Sequence, residues 1–131
     1  MKKLLLVLGL LVSTLSFSQV EDGTLTSQYA KMTKWNGSID EVTFDDFVTT
    51  QIYFNIDYYL ISIDGEESSK IYWEYIKTED NMATYKTEGG AIAVFSFTDP
   101  QFIGFFSDYN DLRGLHDSSV YFTKTSFESD N

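Results

Sequence analysis

From residue 27 onward the chain alternates apolar and polar positions with a period of two rather than the 3.6 of an amphipathic helix. In residues 40–48 (DEVTFDDFV), Val42 and Phe44 alternate with Glu41, Thr43 and Asp45. Residues 51–56 put Ile52, Phe54 and Ile56 on one side, and residues 58–64 do the same with Tyr59, Ile61 and Ile63. Residues 70–78 set Ile71, Trp73 and Tyr75 against Tyr72, Glu74 and Ile76. Residues 82–87 make a shorter, more polar segment, and residues 118–125 make the last strand. Residues 27–35 fit two patterns. Tyr29, Lys31, Thr33 and Trp35 would share one face of a strand, whereas Tyr29, Met32 and Trp35 would share a helical turn. The strand is preferred because Asn36-Gly37, a strong hairpin signal, follows at once.

Turn residues punctuate the pattern at Gly65-Glu66-Glu67-Ser68-Ser69, Glu79-Asp80-Asn81 and Glu88-Gly89-Gly90, and residues 108–117 form the longest irregular stretch. The pattern predicts about seven to nine short strands. Short turns make consecutive strands antiparallel neighbours, and no segment supplies the helical crossover that parallel pairing needs. The expected fold is therefore all-β, an antiparallel meander that closes into a small barrel or folds over as a sandwich.

The most apolar stretch after the first twenty residues is GGAIAVFSFTDPQFIGFFS, residues 89–107. Its longest uncharged run, Gly89 to Thr98, ends at Asp99-Pro100 and is far short of the roughly 20 residues of a membrane helix. A transmembrane β-barrel would show an apolar outer band in the other strands, and none is evident. Asp99-Pro100-Gln101-Phe102 suits a tight turn. A two-residue loop at Pro100-Gln101 would place Phe97 opposite Gly104 and Phe95 opposite Phe106. One face would then carry Ala93, Phe95, Phe97, Phe102, Gly104 and Phe106, and the other Ile92, Val94, Ile103 and Phe105. A hairpin apolar on both faces belongs in the centre of a core, and its aromatic face could instead line a ligand cavity.

The start of the chain reads differently. Met1-Lys2-Lys3 is basic, Leu4 to Val12 is an apolar run, and Ser13 to Ser18 is small and polar apart from Leu15 and Phe17. This is the layout of a secretory signal peptide, with Ser16 and Ser18 ahead of a cleavage site that leaves Gln19 first. The expected organisation is a signal peptide over 1–18, a flexible segment over 19–26, one β domain over 27–126 and a frayed tail over 127–131. No membrane span is expected once the leader is removed. Zero cysteines exclude a disulfide framework, a thiolate metal site and a lipidated terminus, so stability must come from the core. Aromatic residues make up 17% of the chain, a supply that suits a small β core.

The formal net charge is −11. Such a surface repels phosphate backbones and anionic membranes, so nucleic acid is not an expected partner. A basic partner, a cation or a neutral ligand is compatible with it.

Candidate chemistry is thin. His116, the single histidine, sits beside Asp117 and Ser118, but three adjacent residues rarely form a triad and no Gly-x-Ser-x-Gly elbow is present. It is expected to be an exposed loop histidine. Acidic groups such as Asp45-Asp46, Asp64 with Glu66-Glu67, Glu79-Asp80 and Asp108 with Asp111 are too many for any pair to mark a glycosidase. The turns at 64–67 and 108–111 are oxygen-rich, yet neither has the spacing of a calcium loop. Asn36-Gly37-Ser38 matches a glycosylation sequon but is read as a turn. Trp35 and Trp73 are expected in the core. No catalytic residue, cofactor or metal ligand is assigned.

In its leader and size the chain resembles short exported proteins of Gram-negative bacteria, which implies a secreted or periplasmic location. The expected function is non-enzymatic binding, either of a small apolar ligand in the aromatic interior or of a protein partner, for which a basic one suits the charge. The alternative is a small secreted hydrolase using carboxylates in a cleft.

Overall fold

The alternating pattern becomes nine strands in one wholly antiparallel sheet, seen in a computed structural model that describes residues 20–96, 98 and 101–130. The signal peptide read over 1–18, Phe97 and the Asp99-Pro100 turn lie outside the described residues. The strands are β1 (Gly23–Trp35), β2 (Asp40–Phe54), β3 (Tyr58–Ile63), β4 (Glu66–Glu67), β5 (Ile71–Glu79), β6 (Met82–Thr87), β7 (Ile92–Ser96), β8 (Phe102–Asn110) and β9 (Leu115–Ser129). Neighbours in the sheet follow the chain as a meander, and the sheet rings round because the last long strand, β9, pairs with the first, β1. β4 is a two-residue flap folded back on β3 through Asp64-Gly65, both at positive φ.

Three strands are longer than the sequence pattern predicts. Residues 40–48 and 51–56, read as two strands, are joined in β2. The join is made by irregularities in the β1–β2 register at Ser27/Tyr29 and Met32/Thr33, each of which places an extra residue on β2. β1 begins at Gly23, inside the segment expected to be flexible, and β9 runs to Ser129, inside the expected tail. Leu25 pairs with Phe127 and is fully buried, and Phe127 stacks on Phe54 with ring centroids 5.6 Å apart. A lone apolar residue in a polar run gives no periodicity, so only its partner strand reveals it.

The hairpin at residues 89–107 forms, with a different register. Phe95 pairs with Ile103, Val94 with Gly104 and Ser96 with Phe102. Ladder pairing ends at Ser96 and Phe102, which is not where the two-residue loop expected would end it. The offset is odd, and an odd offset turns every side chain of one strand to the other face. Ala93, Phe95, Ile103 and Phe105 thus share the inner face, while Phe102, Gly104 and Phe106 face outward. Gly104 is covered by a ring from β9 rather than β7: Tyr121 lies opposite, and a Cβ at Gly104 would sit 3.1 Å from it. Phe102 and Phe106 pack edge-on against the same tyrosine at 5.7 and 5.5 Å.

The inside of the ring is filled with aromatic side chains. Trp73 stacks on Tyr85 at 4.1 Å and meets Tyr59 at 4.8 Å. Phe54 packs against Phe95 at 5.7 Å, and Tyr59 against Phe105 at 5.3 Å. The Trp73 indole N–H donates to the Asn55 carbonyl, and the Tyr85 hydroxyl accepts from the Val20 amide, so both polar tips are satisfied at the rim. Phe122 and Phe127 both pack on the core although they lie five positions apart, an odd offset that a regular strand would turn to opposite faces. Lys124, at φ 53°, turns the strand over between them.

Candidate functional site

β1, β2, β8 and β9 continue beyond the ring as a four-stranded extension in the order β2-β1-β9-β8. β3 pairs with β2 only over Thr50–Phe54, so residues 40–48 of β2 are bonded on the β1 side alone among the described residues. Every residue from Asp40 to Phe47 is exposed. The apolar ones lie on both faces. Phe47 pairs with Tyr29 on the outer face, their rings edge-on at 4.9 Å, and Val42 joins the same face opposite Thr33. Phe44 pairs with Met32 on the other face, in a row that continues through Val120 to Phe105. Phe47 keeps 67% of its surface exposed and Val42 48%, a high share for strand side chains of this size.

Two turns build the tip. Asn36 accepts with Oδ1 from the amides of Ser38 and Ile39, which closes the β1–β2 hairpin as Asn36-Gly37 predicts, with Gly37 at φ 103°. Asn110 does the same for Leu112 and Arg113, with Gly114 at positive φ, so the irregular stretch expected at 108–117 shrinks to the turn at 111–114.

Arg113 ties the two turns together. Its guanidinium lies over the Trp35 ring at 3.9 Å and reaches Asp40 at 3.5 Å and Asp117 at 3.4 Å. Its side chain is only 16% exposed, which makes this a partly desolvated cluster rather than a loose surface pair. Beside it runs an outer-face groove of about 450 Å³, walled by Phe106, Tyr109, His116 and Tyr121 and floored by the hydroxyls of Thr33 and Ser119, which are 2.6 Å apart. Burial raises the pKa of Tyr121, so its phenol stays protonated and can donate or accept a hydrogen bond at the groove wall. The hydrogen bond from Tyr29 to Asp45 is the leading cause of a raised pKa for Tyr29 at the other end of this face.

Several expectations meet this surface. Trp73 is core, but Trp35 is half-buried on the outer face beneath Arg113. His116 is not a loop residue: it lies in β9, half-buried, with Tyr109 edge-on at 5.2 Å. Its neighbours are engaged elsewhere, Ser118 donating to Asp108 and Asp117 accepting from Asn110 and Arg113. Asp40 and Asp117, two carboxylates at one groove, share the same guanidinium. The acidic turn at 64–67 lines an open surface hollow with Ile61 and Ile63. Among the described residues no three histidine or acidic side chains are grouped to hold a metal ion, and no helix is long and apolar enough to cross a membrane. The sequence signal for the extension was present in residues 40–48, whose apolar residues sit among four acids. The sequence does not carry the second condition, that no strand among the described residues covers them. No protein-family model, no curated protein and no solved structure matches the chain.

Proposed function

We propose that this is an exported, non-enzymatic binding domain that docks a protein partner through the sheet extension. Export rests on the leader pattern of Met1 to Ser18. The observation that carries the docking reading is the run Asp40–Phe47, exposed throughout, apolar on both faces and, among the described residues, bonded on the β1 side alone. The alternative of a small apolar ligand inside the ring is weakened by the rings of Phe54, Tyr59, Trp73, Tyr85 and Phe95, which occupy the interior by packing on one another. A carboxylate hydrolase is weakened in turn because the acids at the groove, Asp40 and Asp117, are held by Arg113.

Photo-crosslinking side chains placed at Val42, Phe47 and, as a control on the ring, Glu74 test this in the cells that make the protein. One adduct of constant mass at positions 42 and 47, absent at 74 and lost with Asp45→Lys, supports docking at the extension. Equal labelling at all three positions, or none, removes the reading. The same samples give the N-terminus, expected at Gln19 in material recovered outside the cytoplasm.

A further inference from the structure

The edge of β2 has properties that select one class of partner, and we infer that it takes an extended, lysine- or arginine-bearing segment of another protein as an added strand. This rests on the docking reading and goes further, to the partner's chemistry and the bonds it makes.

An antiparallel strand directs its backbone N–H and C=O groups alternately to its two sides. Between Asp40 and Val48 one side is used by β1, and among the described residues the other has no strand beside it. Among the described residues another open edge lies on β5 beyond Trp73, and the two differ. The β5 edge is interrupted by an irregularity at Tyr75/Lys77 and crossed by a Lys77–Glu79 ion pair at 3.0 Å. Lysine at an edge is a usual guard against pairing. The β2 edge carries no basic residue at all. It has Asp40, already held by Arg113 at 3.5 Å, and Glu41, Asp45 and Asp46 in nine positions, interleaved with Val42, Phe44, Phe47 and Val48.

Lys31 and Lys34 stand opposite Asp45 and Glu41, but on β1, away from the open side. A second copy of this chain would bring acid against acid along the same edge, and each copy carries a net charge of −11. Each face of the edge carries both kinds of residue, so a strand with basic and apolar residues on each of its own faces meets the acids with its charges, and Val42 and Phe47 on one face and Phe44 on the other with its apolar side chains. Backbone bonds would supply affinity and the alternate side chains specificity, as in strand addition generally.

The probe is a labelled ten-residue peptide of repeating Lys-Lys-Val-Val, which puts lysine and valine on both faces of an extended strand, titrated by fluorescence anisotropy against the full-length domain. Its comparison peptides are the same sequence with alternate backbone nitrogens methylated, and a glutamate–valine version. Strand addition predicts saturable binding that weakens about tenfold or more on N-methylation, since the charges are unchanged while main-chain donors are lost. It also predicts slowed amide exchange confined to residues 40–48 and no binding of the acidic peptide. An Asp45→Lys, Asp46→Lys variant should lose binding while the exchange of ring amides stays as in the parent, which shows that it is folded. Equal binding of the methylated and unmethylated peptides, protection elsewhere, or no binding overturns the inference. Crosslinks at Val42 and Phe47 together with such a result would leave docking in place and remove strand addition. Loss of those crosslinks would remove docking itself.

Discussion

Thr50 is fully buried, and its hydroxyl has no hydrogen-bond partner among the described residues. It faces the ring interior opposite Ser27, whose own hydroxyl donates to the Thr123 carbonyl at 2.7 Å. An unsatisfied buried hydroxyl is destabilising, while valine has nearly the same shape. Thr50→Val should therefore raise unfolding stability by about 1 kcal/mol, read as a higher urea midpoint with an unchanged slope. Phe95 is the opposite case, 2% exposed and packed on Phe54 and Phe127. Phe95→Ala should lower stability by about 3–5 kcal/mol in the same experiment. A near-neutral result would place that ring outside the core. Tyr59 adds a pH dependence. Burial, with a smaller contribution from the Glu88 charge, pushes its pKa from 10.0 up to about 12. The folded chain holds a proton there that the unfolded chain gives up. The stabilisation is fully present below pH 10 and is lost as pH rises towards 12. Thermal melting across that window should show a falling midpoint, and Tyr59→Phe should flatten the fall. Some slope will remain from Tyr85, whose pKa is also raised chiefly by burial.

At the scale of elements, what the sequence reveals depends on how different the two faces of a strand are. β5 is readable because Ile71, Trp73 and Tyr75 oppose Glu74 and the partly polar face beside it, and Trp73 is indeed buried. The β7–β8 hairpin is readable as a hairpin but not in register. β8 is apolar on both faces, Ile103 and Phe105 on one and Phe102 and Phe106 on the other, so periodicity gives no preference between them. The extension was hidden for another reason. Trp35 and Arg113 are far apart in sequence, and only the pairing of β1 with β9 brings their two hairpin tips together. That contact makes a prediction of its own. Arg113→Ala removes the ring contact and the links to Asp40 and Asp117, so both tips should fray together. Hydrogen exchange should quicken across residues 33–42 and 108–117 while the amides of β6 and β7 keep their parent rates. Quickening in the second region alone would mean that Arg113 serves only its own turn. Trp35 fluorescence should become more accessible to acrylamide in the same variant, with buried Trp73 unaffected.

For the molecule as a whole, the absence of cysteine, the filled ring and the charge of −11 belong to one argument. With no disulfide, the fold depends on closure of the sheet, and closure uses the hydrogen-bonding edges of most strands. The edge of β2 that has no strand beside it among the described residues is apolar enough to pair with a copy of itself, which is how exposed strands begin to aggregate. Its acids oppose that outcome, since antiparallel pairing of two such edges sets carboxylates of one copy near those of the other. Neutralising Asp45 and Asp46 removes two of the four acids without altering side-chain size. The double variant Asp45→Asn, Asp46→Asn should therefore self-associate with rising concentration, where the parent chain sediments as a single species. Added salt should push the parent in the same direction, because screening weakens repulsion between exposed charges. A double variant that stays monomeric at every concentration would show that the shape of the edge, with its extra residues, guards it without help from charge. In that case the charge would have no part in choosing what pairs there.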